Sequence, residues 1–385
     1  MNNELNREIN LKSVLAFTLP SIFMMVVMSL YTIVDGIFVS RLINTNAFSV
    51  VSCLFLGDII HLLGANDAVF DYCREYALPI ILFLPFSLLQ VQFQSLFVAN
   101  GKPGTGLLVT LVSGLANVFL DYYFIAVCNM GVAGAAVATG IGYFIAAVFG
   151  LYYFARHREA PLHFVKPRAS MQTLMRAMTN GSSEMVSNLS TSVTTFLFNI
   201  IMMRLIGPDG VAAISILLYL DFVLIAINLG YSIGVAPLFS YNYGSGDCRK
   251  LKKLFRISLY FCTSVGVVMT AGTVLFADWL ASVFSPAGSA VHALAATGLR
   301  IFAVSYLFKG FSIFTSALFT AFGNGTLSAI LSFMRTLILL VSAILLFSSL
   351  FGITGVWSAT PAAETIAFLL AAFLAWKYGK VYRYL

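Results

Sequence analysis

Asp35 and Asp121 are carboxylates set inside apolar runs, SLYTIVDGIFVSR and GLANVFLDYYFI. An acid at the centre of a bilayer costs about 2.5–3.5 kcal/mol on insertion scales, so each needs a compensating role. Asn117 precedes Asp121 by four residues, which puts both on one face of a helix. Thr139 follows on the next apolar run. Two carboxylates, a carboxamide and a hydroxyl form an all-oxygen set suited to Na⁺, or to a proton shared between acids. The same residues can equally form a buried polar cluster that only locks helices together.

Other residues carry weaker signals. Glu184, Asp221, Lys309, Arg335 and Glu364 fall in the second half of the chain. Asp221 and Lys309 have opposite charges on neighbouring elements and read as a structural ion pair. Arg335 and Glu364 admit either that reading or an ion-handling one. Gln90 and Gln94 share a helix face, whereas Gln92 between them does not, so the first two can line a cavity or serve packing. Met24, Met28 and Tyr31 stand at i, i+4 and i+7 ahead of Asp35. Flexible thioethers and a ring suit a promiscuous cavity for flat organic cations, and plain packing accounts for them as well. Asn188-Leu-Ser matches a glycosylation pattern but lies within a helix, where it is a false positive. No nucleophile elbow, phosphate-cradling loop or zinc signature appears, so the chain does not read as an enzyme. The five cysteines lack CxxC or His-rich spacing, which gives neither a disulfide framework nor a metal site.

The elements that must position these residues are membrane helices. Hydrophobic residues make up 60% of the chain and charged ones only 10%, and the apolar runs exceed eighteen residues. The class is therefore an all-α integral membrane protein. Its net charge of +7 is the bias of cytoplasmic loops and not a nucleic-acid footprint. The N-terminus, MNNELNREINLKS, is too polar and acidic for a signal peptide, so the first helix is expected to stay as its own anchor. Ten crossings are predicted, near 14–38, 77–99, 105–127, 131–154, 173–203, 212–238, 254–277, 297–321, 327–349 and 353–376. Glycine-bearing turns separate them. They group into an N-terminal bundle (1–155), a cytoplasmic linker (156–172) and a C-terminal bundle (173–385). The lysine and arginine clusters at 156–176 and 249–256 fix both termini on the cytoplasmic side. The apolar stub at 47–63 must then enter and leave on the outer face, since a crossing there would turn those clusters outward.

The halves repeat one another. Ser95–Gly101 (SLFVANG) returns as Ala317–Gly323 (ALFTAFG), 222 positions later, and Gly131–Thr139 (GVAGAAVAT) as Gly352–Thr360 (GITGVWSAT), 221 later. Near the start the offset is smaller: Arg41-Leu42-Ile43 matches Arg204-Leu205-Ile206 at 163, and Ala47-Phe48-Ser49 matches Ala213-Ile214-Ser215 at 166. The jump from 166 to 221 corresponds to about 55 residues absent from the first half, close to two membrane crossings. Four crossings and the stub remain there, against six in the second half. Repeated bundles in an apolar chain mark a secondary transporter.

Pro20 fifteen residues before Asp35, the Asn-x-x-x-Asp of 117–121, and Thr139 eighteen further on resemble the multidrug and toxic compound extrusion (MATE) transporters. Tyr241–Arg256 is similar to that family's cytoplasmic loop after its eighth helix, and Leu62–Tyr76 to its third outer loop. The likeness covers nearly the whole chain in order. It implies a 6 + 6 helix fold from which helices two and three are missing here. It also implies that Asp35, Asn117, Asp121 and Thr139 form a first-lobe cation site and that Pro20 bends the first helix. Glu184 falls where many members carry a seventh-helix glutamate implicated in coupling, a possible second site. The expected activity is export of cationic, lipophilic drugs in exchange for Na⁺ or H⁺, by alternating access in a bacterial inner membrane. The partners would be organic cations, a monovalent cation and the lipid bilayer, without nucleic acid or any cofactor beyond the coupling ion. Two rivals remain: a transport-dead remnant acting through membrane association, and a lipid-linked oligosaccharide flippase of the same superfamily. The latter would need a more cationic cavity than this acidic first bundle.

Overall fold

A computed structural model describes residues 8–42, 67–157, 162–165 and 170–385, with the side chains of 30–42, 67–74, 77, 176, 180 and 183 outside that description. The helices are α1 (Leu11–Leu42), α2 (Asp67–Ala99), α3 (Pro103–Asp121), α4 (Gly131–Arg156), α5 (Met171–Leu205), α6 (Pro208–Gly244), α7 (Cys248–Leu275), the short α8 (Ala277–Ser282), α9 (Ala290–Phe302), α10 (Tyr306–Ala321), α11 (Gly325–Phe333) and α12 (Leu340–Gly379). Six-residue π segments follow α3 (Tyr122–Val127) and α11 (Met334–Leu339). Among the described residues no strand occurs, and nine stretches are long and apolar enough to cross a membrane.

The last of those stretches, Gly325–Gly379, is 55 residues long. At about 1.5 Å per residue it far exceeds a hydrocarbon core of about 30 Å. Gly352 breaks it in two with φ of 56° and ψ of −130°, a conformation that only a residue lacking Cβ adopts freely. Divided there, the nine apolar stretches among the described residues become ten segments of crossing length. The repeat is equally visible in the backbone. Gly101 and Gly323 share a φ of 76°, while Gly131 and Gly352 have 58° and 56°. Only 24 positions, 43–66, separate α1 from α2, whereas the second half holds both α6 and α7 between the corresponding helices. The stub at 47–63 lies outside the described residues.

Two sequence expectations need correction. The supposed loop Tyr241–Arg256 is mostly helical: α6 runs to Gly244, α7 starts at Cys248, and Asp247 caps it by accepting from the Lys250 backbone N–H at 3.1 Å. An Asp at this position satisfies one of the orphan N–H groups of a helix start, which shortens the turn. Likewise Asp67–Tyr76, read as outer loop, is the beginning of α2.

Contacts divide the chain into two compact units, Met1–Leu19 with Arg168–Leu385, and Pro20–Pro167. The division falls at Pro20 inside α1, where the proline removes one intrahelical hydrogen bond. In the unit containing Pro20–Pro167, α4 packs on α2 and α3 around Phe93, Phe97, Val109, Tyr153 and Phe154. Gly150 lets α2 come close, since a methyl there would fall within the Phe93 ring. In the other unit, α10 packs on α6, α7, α11 and α12, and the core includes Leu217, Phe302, Tyr306 and Trp357. Helix α5 is rich in hydroxyls, but Thr179, Ser190, Thr191 and Thr194 each donate to the carbonyl four residues back. Bonding to its own backbone lets so polar a helix enter lipid.

Candidate functional site

Helix α3 is built inside out relative to a helix of a water-soluble protein. Leu108, Leu111, Leu115 and Phe119 are exposed, while Thr110, Ser113, Asn117 and Asp121 are buried in one stripe. Spacings of three and four residues keep the stripe on one face, and the apolar face is left for lipid. Asp121 ends the α-helical part, and the π segment Tyr122–Val127 follows at once. Such segments recur at functional sites because they change which backbone groups are paired.

A small pocket opens along this stripe, lined by Gln90 of α2, by Ser113, Gly114 and Asn117 of α3, and by Thr139, Gly142 and Tyr143 of α4. It has space for roughly one water-sized particle. Gly142 permits the approach of α4: a methyl there would stand 3.3 Å from the Ser113 carbonyl oxygen and 3.5 Å from Asn117 Cβ. The Asn117 amide Nδ2 donates to Thr139 Oγ1 at 3.2 Å. Two buried acceptors of the lining, Asn117 Oδ1 and Gln90 Oε1, have no hydrogen-bond partner. A buried acceptor left without a donor costs about 1–3 kcal/mol, so these oxygens suit an occupant that offers positive charge or an N–H or O–H, a water molecule included. Neutral oxygens and a small volume fit a desolvated monovalent cation or a hydronium-like donor better than an anion. Asp121, completely buried, stands one helical turn beyond Asn117 on the same helix face, next to the residues that line the pocket but not among them.

The structure thus brings Asn117 and Thr139 into contact and adds Gln90, with Asp121 on the same helix face. The backbone of Asp35 lies within α1, and its side chain and that of Tyr31 lie outside the described residues. Met24 is 1% exposed, its sulfur 3.5 Å from where a methyl on Gly106 would sit, which is a packing role in this conformation. Met28 is half-buried. Gln94 does not join Gln90: its Nε2 donates to Thr110 Oγ1 at 3.1 Å. Sequence reasoning missed Ser113 and Tyr143. Ser113 was readable, because 110, 113, 117 and 121 continue one stripe. Tyr143 gave no local signal.

In the second unit Lys309 Nζ donates to Asp221 Oδ1 at 2.8 Å, and the ammonium stands 5.1 Å from the Phe302 ring centre. Arg335 Nε contacts Glu364 at 3.1 Å (Oε1) and 3.0 Å (Oε2). Glu184 is exposed on α5, which packs against the segment bearing Arg335. Among the described residues no cluster of three or more His, Cys, Asp or Glu side chains is arranged to hold a metal ion.

The family model described as MatE matches residues 45–123 and 185–345, which together exceed half of the chain. The multidrug export protein MepA of Staphylococcus saprophyticus is 24% identical over 394 residues, covering 94% of this chain and 85% of the relative. MepA of Staphylococcus haemolyticus is 26% identical over 391 residues with the same coverage. A solved structure described as the outward-facing conformation of a multidrug resistance MATE family transporter of the MOP superfamily superposes with a TM-score of 0.88 at 21% identity, covering 100% of this chain and 99% of that one. A crystal structure of MATE in complex with MaL6 gives 0.88 at 20% identity with complete coverage of both.

Proposed function

The chain belongs to the MATE family, and we propose that it exports cationic, lipophilic small molecules in exchange for Na⁺ or H⁺, binding the ion in the α3–α4 pocket. One observation carries the ion reading: unpaired Asn117 Oδ1 and Gln90 Oε1 line a pocket of about one ion's size on the same helix face as fully buried Asp121. Asn117 and Thr139 supply neutral oxygens, and Asp121 supplies the charge that makes entry of a cation favourable. Asp35 joins them by its sequence spacing, from the helix that also carries Pro20. An ion that binds one conformation more tightly biases the equilibrium between two, and that bias is how an ion gradient is coupled to substrate movement. The names of the MepA relatives support multidrug export as the activity. The lysine and arginine distribution supports cytoplasmic termini in a bacterial inner membrane.

The test is ethidium efflux from an efflux-deficient bacterium expressing Asp121→Asn. The amide keeps the shape and removes the charge, so surface expression should persist while ion-driven efflux is lost. Efflux equal to the parent under the same gradients would refute the assignment.

The short connection between α1 and α2 favours a second reading, a chain that inserts but transports poorly. Lipid replaces lost apolar contacts at little cost, but it cannot seal a polar cavity. Grafting a hairpin of about 55 residues from a complete relative should then raise drug resistance. Equal, robust resistance without the graft would dismiss the remnant.

A further inference from the structure

The repeat places a particular residue of the second unit at the counterpart of the ion pocket. The 222-residue offset carries Gln94 and Thr110 onto Ser316 and Ser332, and both pairs are hydrogen-bonded, at 3.1 Å and 3.0 Å. The same offset carries Ser113 onto Arg335, and the 221 offset carries Tyr143 onto Glu364. Ser113 and Tyr143 line one pocket. Their counterparts also stand together, here joined by an ion pair whose side chains are only 13% and 6% exposed. The equivalence therefore rests on sequence offset, on a shared hydrogen bond, and on a shared juxtaposition.

We propose that Arg335 is a tethered cation filling the second bundle's counterpart of the ion pocket, so that this bundle carries a latent monovalent-cation site and does not exchange ions. One guanidinium nitrogen, Nε, donates to both Glu364 carboxylate oxygens, at 3.1 Å and 3.0 Å, a charge-assisted contact that neutralises the acid. From the elements packed on its segment, the titratable groups that face Arg335 are Glu364 on α12 and Glu184 on α5; α11 has none. Glu184 is then balanced by a fixed charge and is not a second coupling residue. Removing the guanidinium would leave the buried Glu364 carboxylate without its counter-ion, and a small cation or a proton must replace it.

This deepens the ion reading of the α3–α4 pocket, and one experiment separates the two. Thermal melting of purified full-length chain in detergent is compared in NaCl and in choline chloride, at pH 6 and pH 8. Asp121→Asn should abolish the dependence on Na⁺ or pH. Adding Arg335→Ser in that background should restore a shift of melting temperature, and Glu364→Gln should remove it again. A dependence that survives Asp121→Asn but disappears with Asp121→Asn/Glu364→Gln would overturn the tethered-cation proposal. One that survives both would overturn the α3–α4 assignment and with it the proposal, which rests on that reading. A folded Asp121→Asn/Arg335→Ser chain without any gain would overturn it too. If that chain does not fold, the neutral pair Arg335→Met/Glu364→Leu in the otherwise native chain decides. Retention of the native ion dependence supports the proposal, and loss of it in a folded protein overturns it.

Discussion

Replacing Thr139 by valine removes the hydroxyl at nearly constant volume and deprives Asn117 Nδ2 of its acceptor at 3.2 Å. In a soluble core an orphaned buried donor costs about 1–3 kcal/mol. Within a membrane the unfolded chain also finds partners, and measured couplings average about 0.6 and reach about 1.7 kcal/mol. The coupling between Thr139→Val and Asn117→Ala should therefore lie between about 0.6 and 1.7 kcal/mol. A second and larger effect is expected from the ion. A ligand present at about 100 times its Kd stabilises the folded state by about 2.7 kcal/mol, and losing an oxygen of the site removes most of that gain. Thr139→Ser keeps the hydroxyl and should keep both terms. The assay is reversible unfolding in mixed micelles, with and without the coupling ion, for the two single variants, the double variant and Thr139→Ser. If Thr139→Val retains the full ion-dependent stabilisation and its effect adds to that of Asn117→Ala, the pocket is not the ion site.

Gly150→Ala should destabilise the first bundle by about 1–3 kcal/mol, the usual cost of overpacking, because the new methyl would meet the Phe93 ring of α2. The check is the unfolding midpoint, and an unchanged value would show that α2 and α4 can separate freely. Cys248, half-buried at the start of α7, should react with an impermeant maleimide only from the cytoplasmic side. Labelling from outside would reverse the orientation drawn from the lysine and arginine clusters.

Much of the architecture was legible because its causes are local. Apolar runs long enough to span a bilayer announce themselves in composition, and the turns between them fall at glycines whose positive φ no other residue adopts cheaply. Gly101 and Gly323, or Gly131 and Gly352, could be paired by sequence alone, and their backbones agree. Asn117 and Asp121 were likewise readable, since helical period is a property of one segment. Loop lengths were less so: Tyr241–Arg256 looks polar enough to be a loop, yet α6 runs to Gly244 and capping by Asp247 starts α7 at Cys248, which leaves only a short turn. Tertiary structure alone decided the partners. Nothing local separates Gln90 from Gln94, which share a helix face, but packing sends one to the pocket and the other to Thr110. Nor does sequence place Arg335 on Glu364, 29 residues away on another helix. A helix fixes which of its own residues share a face. Which face meets which neighbour, and what an acid finds there, depends on close approaches such as those at Gly142 and Gly150, where the absence of a single methyl lets two helices touch.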